Sequence, residues 1–342
     1  MTDPSADSQA ADGQTASQLA SVRRADGATG YGTVSFLSDY GHDDEFVGVV
    51  HSVIAAIAPD VRVVDVTHGI ARHDVRAGGL ALARAAQYLL AGVVLAVVDP
   101  GVGTTRRAVA VEVGGGASVL VGPDNGLLAP AVALVGGAER AVELTSEQYR
   151  LMPQADLGAT FDGRDVFAPA AAHLCCGVPL EALGAPIDPA ALTPGMLPVS
   201  RREGADLVAE VLWVDHFGNC QLNVAMSEVD EIAAGGGAPG DPALRVLLGD
   251  ESHTVQPAQA YADVAPGRVG LVIDSSGLVS LTLPQRSAAA ELGLHEGDEV
   301  RLTPADRDNS TQPIPVQLRQ RTGAGQPREQ VQPDQQPKGA KQ

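Results

Sequence analysis

The sequence predicts an α/β protein in two parts. A mostly parallel, Rossmann-like α/β domain spans residues 31–198, and a smaller β-barrel domain spans 199–303. Three observations carry this reading. Uncharged β-branched runs such as Val93 to Val98 fit strands buried on both faces, as in a parallel sheet. These runs alternate with segments of helical spacing as far as Val135. Past Pro198 the pattern becomes short strands parted by Gly, Asp and Pro, the spacing of a small barrel or sandwich.

The chain has 342 residues, room for two modest domains with a core each. Residues 1–30 are rich in Ala, Ser, Asp, Gln and Gly and read as a disordered arm. Thr33 to Leu37 is a strand, ending in the acidic loop Ser38-Asp39-Tyr40-Gly41-His42-Asp43-Asp44-Glu45. A helix follows in which Phe46, Val50, Val53, Ile54 and Ile57 share one face, and the acids before it suit its positive end. Pro59 stops it, and Val61 to Val66 reads as the next buried strand. A second helix over Val75 to Leu90 leads to the strand ending at Asp99. Ala108 to Val113 and Ser118 to Val121 are further strands, Leu127 to Val135 is helical, and an apolar helix runs from Val166 to Cys176 after a loop at Gln148 to Ala159. In the second domain Asp206 to Val214, Ala243 to Leu248, Val269 to Ile273, Leu278 to Leu283 and Glu299 to Thr303 are strands, with one short helix at Ser287 to Leu292. Residues 304–342 form a low-complexity tail.

Composition excludes several functions. A formal net charge of −19 argues against nucleic acid and against an anionic membrane surface, and suits a cationic ligand. The only lysines are Lys338 and Lys341, so the folded part holds neither a Schiff-base lysine nor a P-loop. Cys175, Cys176 and Cys220 show no paired spacing and fit a reducing, cytoplasmic setting. No apolar run approaches the ~20 residues of a membrane span, and no signal peptide is evident.

Polar clusters recur at strand ends: Asp39, then Thr67 and His68, then Asp99, then Asp124 and Asn125. In an open parallel sheet such ends converge on one crevice. Gly101 and Gly103 lack the third glycine of a dinucleotide fingerprint, and no Gly-x-Ser-x-Gly elbow exists. Asp39, His42, Asp43 and Asp44 lack a distant Cys or His pair, so no metal is expected. His68 and His73 lie near strand ends as bases or packing groups, and His51 on its helix reads as structural.

Six motifs occur in a recognisable order: Ser38-Asp39-Tyr40-Gly41, Val64-Asp65-Val66-Thr67-His68, Asp99-Pro100-Gly101-Val102-Gly103-Thr104, Pro123-Asp124-Asn125-Gly126-Leu127-Leu128, Gly163-Arg164-Asp165-Val166-Phe167-Ala168-Pro169 and Asp215-His216-Phe217-Gly218-Asn219. They resemble the S-adenosyl-L-methionine (SAM) hydroxide adenosyltransferases, relatives of the fluorinase and chlorinase. The resemblance implies a homotrimer whose active sites lie between one subunit's α/β domain and the next subunit's barrel. It implies displacement at the ribose C5′ of SAM, giving adenosine and methionine, with SAM as substrate and no cofactor. By the same resemblance Asp39 holds the ribose hydroxyls, Asp44 and Asp215 the ammonium, and Ser275 and Ser276 the carboxylate of the methionine part. Phe217 and Asn219 match adenine-contacting positions, and Phe161 an aromatic beside the ribose.

The water-activating set of the family is an Asp, an Arg and a His. Asp99 and Arg106 match the first two, whereas the third falls on Asp162, because this chain reads Thr-Phe-Asp-Gly-Arg. The expected catalytic residues are therefore Asp99, Arg106 and Asp162, with Asp162 as the candidate base and Arg107 beginning the next strand. His73 and Gln221 stand where the fluorinase has tryptophans. A SAM-dependent halogenase is the alternative enzyme, disfavoured because the Asp99 carboxylate repels a halide. A non-catalytic SAM or adenosine sensor is the alternative of another class.

Overall fold

The computed structural model describes residues 30–152, 158, 160–236 and 244–304. The expected arm and tail and half of the loop before Thr160 fall on 1–29, 305–342, 153–157 and 159, outside the described residues.

The first domain is a three-layer α/β/α sandwich. Its strands are β1 (Thr33–Ser38), β2 (Arg62–Thr67), β3 (Val93–Val97), β4 (Ala108–Val113), β5 (Ser118–Pro123), β6 (Arg140–Glu143) and β7 (Ala185–Ile187), in the order β2-β1-β3-β5-β4-β6-β7. The pairs β2–β1, β1–β3 and β3–β5 are parallel. β4, β6 and β7 extend the sheet antiparallel on one side. Its helices are α1 (Phe46–Ile57), α2 (Val75–Ala86), α3 (Ala129–Leu134) and α4 (Ala168–Cys175).

Strand alternation sends Val93, Leu95 and Val97 into the core beneath α1 and α4, and Val94, Ala96 and Val98 into the core beneath α2 and α3. Burial on both faces explains why β3 carries no polar residue. Asp74 caps α2 by accepting from the Ala77 N–H at 2.8 Å. Glu45, by contrast, makes no side-chain cap at α1, so the acids there stand exposed.

The expectation of a buried strand at Val61 to Val66 is corrected. β2 is the sheet edge, paired with β1 alone, and Arg62, Val64 and Asp65 are exposed. An apolar run does not reveal its place in the strand order.

The second domain is a barrel. Its strands are β8 (Arg201–Glu203), β9 (Asp206–Val214), β10 (Cys220–Leu222), β11 (Leu244–Leu248), β12 (Glu251–Ala258), β13 (Val269–Ile273), β14 (Val279–Thr282) and β15 (Glu299–Pro304), with helices α5 (Met226–Gly236) and α6 (Ala288–Leu292). The order is β10-β14-β13-β12-β11-β15-β9-β8, and β10 also pairs with β9, closing seven strands into a ring with β8 appended. Leu207, Val211, Leu244, Leu271, Leu281 and Leu302 fill its interior.

The domains meet along α2 and β9, where Arg76 pairs with Glu210 and the Arg84 guanidinium lies 4.9 Å from the centre of the Trp213 ring. No helix among the described residues is long and apolar enough to cross a membrane.

Candidate active site

Asp99 follows the buried end of β3, at the carboxyl edge of the parallel strands. The turn beyond it is held by Thr104, whose Oγ1 donates to the Gly101 carbonyl at 2.7 Å and accepts from the Arg106 N–H at 3.3 Å. Gly103 adopts φ 74°, which favours glycine. This turn folds Arg106 back onto Asp99. Arg106 Nε donates to Asp99 Oδ1 at 3.0 Å, and Nη2 donates both to Asp99 Oδ2 and, at 2.7 Å, to Asp162 Oδ2.

One guanidinium therefore joins both candidate carboxylates. The side chains of Asp99, Arg106 and Asp162 are 6%, 9% and 23% exposed, so water screens these charges poorly. The guanidinium also lies 5.3 Å from the centre of the buried Phe167 ring. Burial raises the Asp99 pKa above the usual carboxylate range, the Asp162 charge adds to the rise, and Arg106 opposes it.

Asp162 stands directly before a π-helical turn, Gly163–Phe167, that opens into α4. Gly163 is required by a close approach: a Cβ there would fall 2.1 Å from the Tyr40 hydroxyl and 3.0 Å from Phe161. Tyr40 is the residue the sequence reading passed over, although it sits inside the Ser-Asp-Tyr-Gly motif. Its ring meets Phe161 edge-on at 5.7 Å and Phe46 at 5.6 Å. Burial, then the charges of Asp39, Asp99 and Asp162, drive its pKa far above normal, so the phenol keeps its proton.

Asp39 is oriented from outside its own loop. Its Oδ2 accepts the His73 N–H at 2.9 Å, and His73 takes a left-handed φ of 66° to supply it. His73 thereby acts through its backbone. Phe161 is flanked by Arg164, whose guanidinium lies 5.4 Å from the ring centre and forks onto Asp165 at 2.6 and 2.8 Å. Asp44 is exposed at the mouth of the same loop.

The barrel residues form a second group. Asp215 Oδ1 accepts the N–H groups of Phe217 (2.8 Å) and Asn219 (2.9 Å), and its Oδ2 accepts Asn219 Nδ2 at 2.7 Å. Asn219 Oδ1 in turn accepts the Thr282 hydroxyl at 2.7 Å, so both ends of this amide are engaged inside the barrel. The loop so fixed presents Phe217 77% exposed. Asp274, a second residue missed from sequence, accepts the Ser276 and Leu278 N–H groups and sets the Ser275–Ser276 turn. These serines line a cleft of about 480 Å³ with Thr67, Arg84, Tyr88 and Trp213. The structure thus brings together Asp39, Asp99, Arg106, Phe161 and Asp162, and separately Asp215, Phe217 and Asn219.

Not every strand-end polar group joins the crevice. Asp124 is held by Arg107 and by the Thr193 N–H, while Asn125 Nδ2 donates to the Val98 carbonyl at 2.9 Å. Both are structural, and Arg107 does more than begin β4: it locks the β5 turn. His68 is fully buried beneath Ser38.

Comparison with known proteins places this geometry in a family. The profile of the SAM hydroxide adenosyltransferase N-terminal domain matches residues 34–184, and that of its C-terminal domain matches residues 209–301. The chain is similar to an (R)-S-adenosyl-L-methionine hydrolase of Salinispora tropica, 45% identical over 270 residues, covering 79% of this chain and 97% of that protein. It is 29% identical over 300 residues to a fluorinase of Actinopolyspora mzabensis, covering 79% and 96%. An uncharacterized conserved protein of Thermotoga maritima shares its structure with a TM-score of 0.71 at 30% identity, covering 79% of this chain and 99% of that one. On both domains and across the whole folded region, the chain belongs to the SAM hydroxide adenosyltransferase family.

Proposed function

We propose that this protein hydrolyses SAM to adenosine and L-methionine by attack of water at the ribose C5′. The observation that carries the proposal is the part-buried Asp99–Arg106–Asp162 set at the sheet's carboxyl edge. Water gives a proton to Asp162 as its oxygen bonds to C5′, and the C5′–S electron pair leaves with sulfur. The sulfonium departs as a neutral thioether, so the leaving group requires no proton donor and no cofactor. Asp99 orients the water, and Arg106 stabilises the developing hydroxide and keeps the two acids apart in role.

The remaining roles follow the two groups of residues. Asp39, preset by His73, holds the ribose hydroxyls, and Phe161 lines the sugar. Asp44 and Asp215 receive the ammonium, and Ser275 and Ser276 the carboxylate. Phe217 stacks on adenine, and Asn219, held by Asp215 and Thr282, keeps a second amide N–H with which to meet it. A homotrimer joins the two groups, the barrel of one subunit completing the first-domain set of the next. The exposure of Phe217 supports this. The cysteine usage supports a cytoplasmic setting.

The test is to incubate purified protein with SAM, as separate (R) and (S) sulfonium epimers, with and without chloride or fluoride. Adenosine and methionine formed at equal rate without halide is the expected result. A 5′-halo-adenosine would overturn the hydrolase reading, and binding without product would favour a sensor.

A further inference from the structure

A cluster outside the reacting set has no role in that chemistry. His51 lies on α1, and Asp65 and His68 lie at the end of β2. Residues three apart on a strand ordinarily face opposite sides. Here the β1–β2 register slips by one residue, Phe36 facing Asp65 and Leu37 facing Thr67, which leaves Val66 as a bulge. The bulge brings Asp65 and His68 to one side, where His51 meets them.

His51 Nε2 is 2.8 Å from Asp65 Oδ1, and His68 Nε2 is 3.1 Å from the same oxygen. The three ligand atoms all lie within 4.8 Å of one another. His68 is 0% exposed, and its buried Nε2, though 3.1 Å from Asp65 Oδ1, meets no partner in hydrogen-bond geometry among the described residues. Its Nδ1 is satisfied by the Ser38 hydroxyl at 2.8 Å. That partner fixes the ring, and with Nδ1–H donating to the hydroxyl, Nε2 is the nitrogen open to a metal, as the outer shell of a metal-bound histidine arranges.

We propose that His51, Asp65 and His68 form a divalent metal site, with zinc the ion that the donor set fits. Two imidazole nitrogens and one carboxylate oxygen match its ligand preference, and water takes the fourth position. Tetrahedral donors at about 2.1 Å from the ion stand about 3.4 Å apart, so each Asp65–histidine separation widens by a few tenths of an ångström on loading. His51 and Asp65 are at the surface and free to give way. Loading would clamp α1 to β2 beside the loop that carries Asp39. That loop is already tied to the cluster: the Gly41 N–H donates to the His68 carbonyl at 2.8 Å, and Ser38 precedes Asp39. The site stands apart from the displacement.

The test is calorimetric titration of Zn²⁺ into the untagged full-length chain after dialysis against chelator, with Co²⁺ spectra reporting geometry. One ion per chain and visible tetrahedral d–d bands are expected. His51→Ala and Asp65→Asn should each weaken binding by about a hundredfold or more. His295→Ala, at an exposed histidine beside Asp298, should leave it unchanged. Absence of uptake by the unmodified chain, or unmodified affinity in either ligand variant, would mean an ordinary His–Asp hydrogen-bonded pair and overturn the proposal.

Discussion

Replacing Arg106 with Gln would leave two carboxylates, 6% and 23% exposed, facing each other without their shared cation. Breaking a buried ion pair from one side costs about 3–5 kcal/mol, equivalent to roughly 2–4 pKa units. The variant relieves part of this by taking up a proton. Burial and Asp162 already raise the Asp99 pKa, and Arg106 is what opposes them, so its loss raises that pKa further. An acid whose folded pKa exceeds its unfolded value binds more protons when folded, so stability is gained as pH falls through the folded pKa and lost as pH rises. Arg106→Gln should therefore be destabilised by about 3 kcal/mol near pH 8, a drop of roughly 6–12 °C in Tm, and by clearly less near pH 5. Adding Asp162→Asn should restore part of the loss by removing the like charge. Urea melts followed by circular dichroism at both pH values measure this. A loss under about 0.5 kcal/mol at both would refute the view that Arg106 balances two part-buried acids.

Asp162→Asn alone should lower turnover by about a hundredfold, as expected for loss of a general base, while Asp162→His retains more activity; equal activity in Asp162→Asn and the unmodified enzyme would remove Asp162 from the reaction. The acid limb of kcat/KM should lie above the usual carboxylate range, since the working form of Asp99 is ionised and its pKa is raised, and Asp162→Asn should move that limb to lower pH. Gly163→Ala should cost activity at least tenfold and about 1–3 kcal/mol of stability by striking Tyr40, and Tyr40→Phe in the same chain should recover stability; an unaffected single variant would contradict the close packing at that turn. Phe217→Ala should leave the urea midpoint unchanged and raise KM by roughly five- to a hundredfold, the worth of one base–aromatic stack; unchanged KM would place adenine elsewhere.

Much of the first domain was legible because its chemistry sits where patterns change. The apolar run of β3 stops at Asp99, and the glycines beyond it announce the turn that returns Arg106. What the sequence could not display was relation across distance. β2 reads as buried like β3, yet its edge position exposes it. β6, β7, β10 and β12 are short or polar strands that exist through their partners, and β12 carries Glu, Ser, His, Thr and Gln. α5 keeps only Val229 and Ile232 as its buried stripe, too little periodicity to stand out. The site followed the same rule. Asp99, Arg106 and Asp162 stand in motifs, but that one guanidinium holds both acids depends on Asp162, 56 positions on from Arg106, folding back to it. In the motif Tyr40 stands beside the charged Asp39, and the phenol gains its meaning only from Gly163 and Phe161 arriving against it.

The central claim is that water attacks C5′ and sulfur leaves. Turnover of SAM in heavy-oxygen water tests it directly, with mass spectrometry of both products. The account predicts one heavy oxygen in the 5′-hydroxyl of adenosine and none in methionine, at a rate indifferent to halide. Unlabelled adenosine, label in methionine, or a halogenated nucleoside would contradict it.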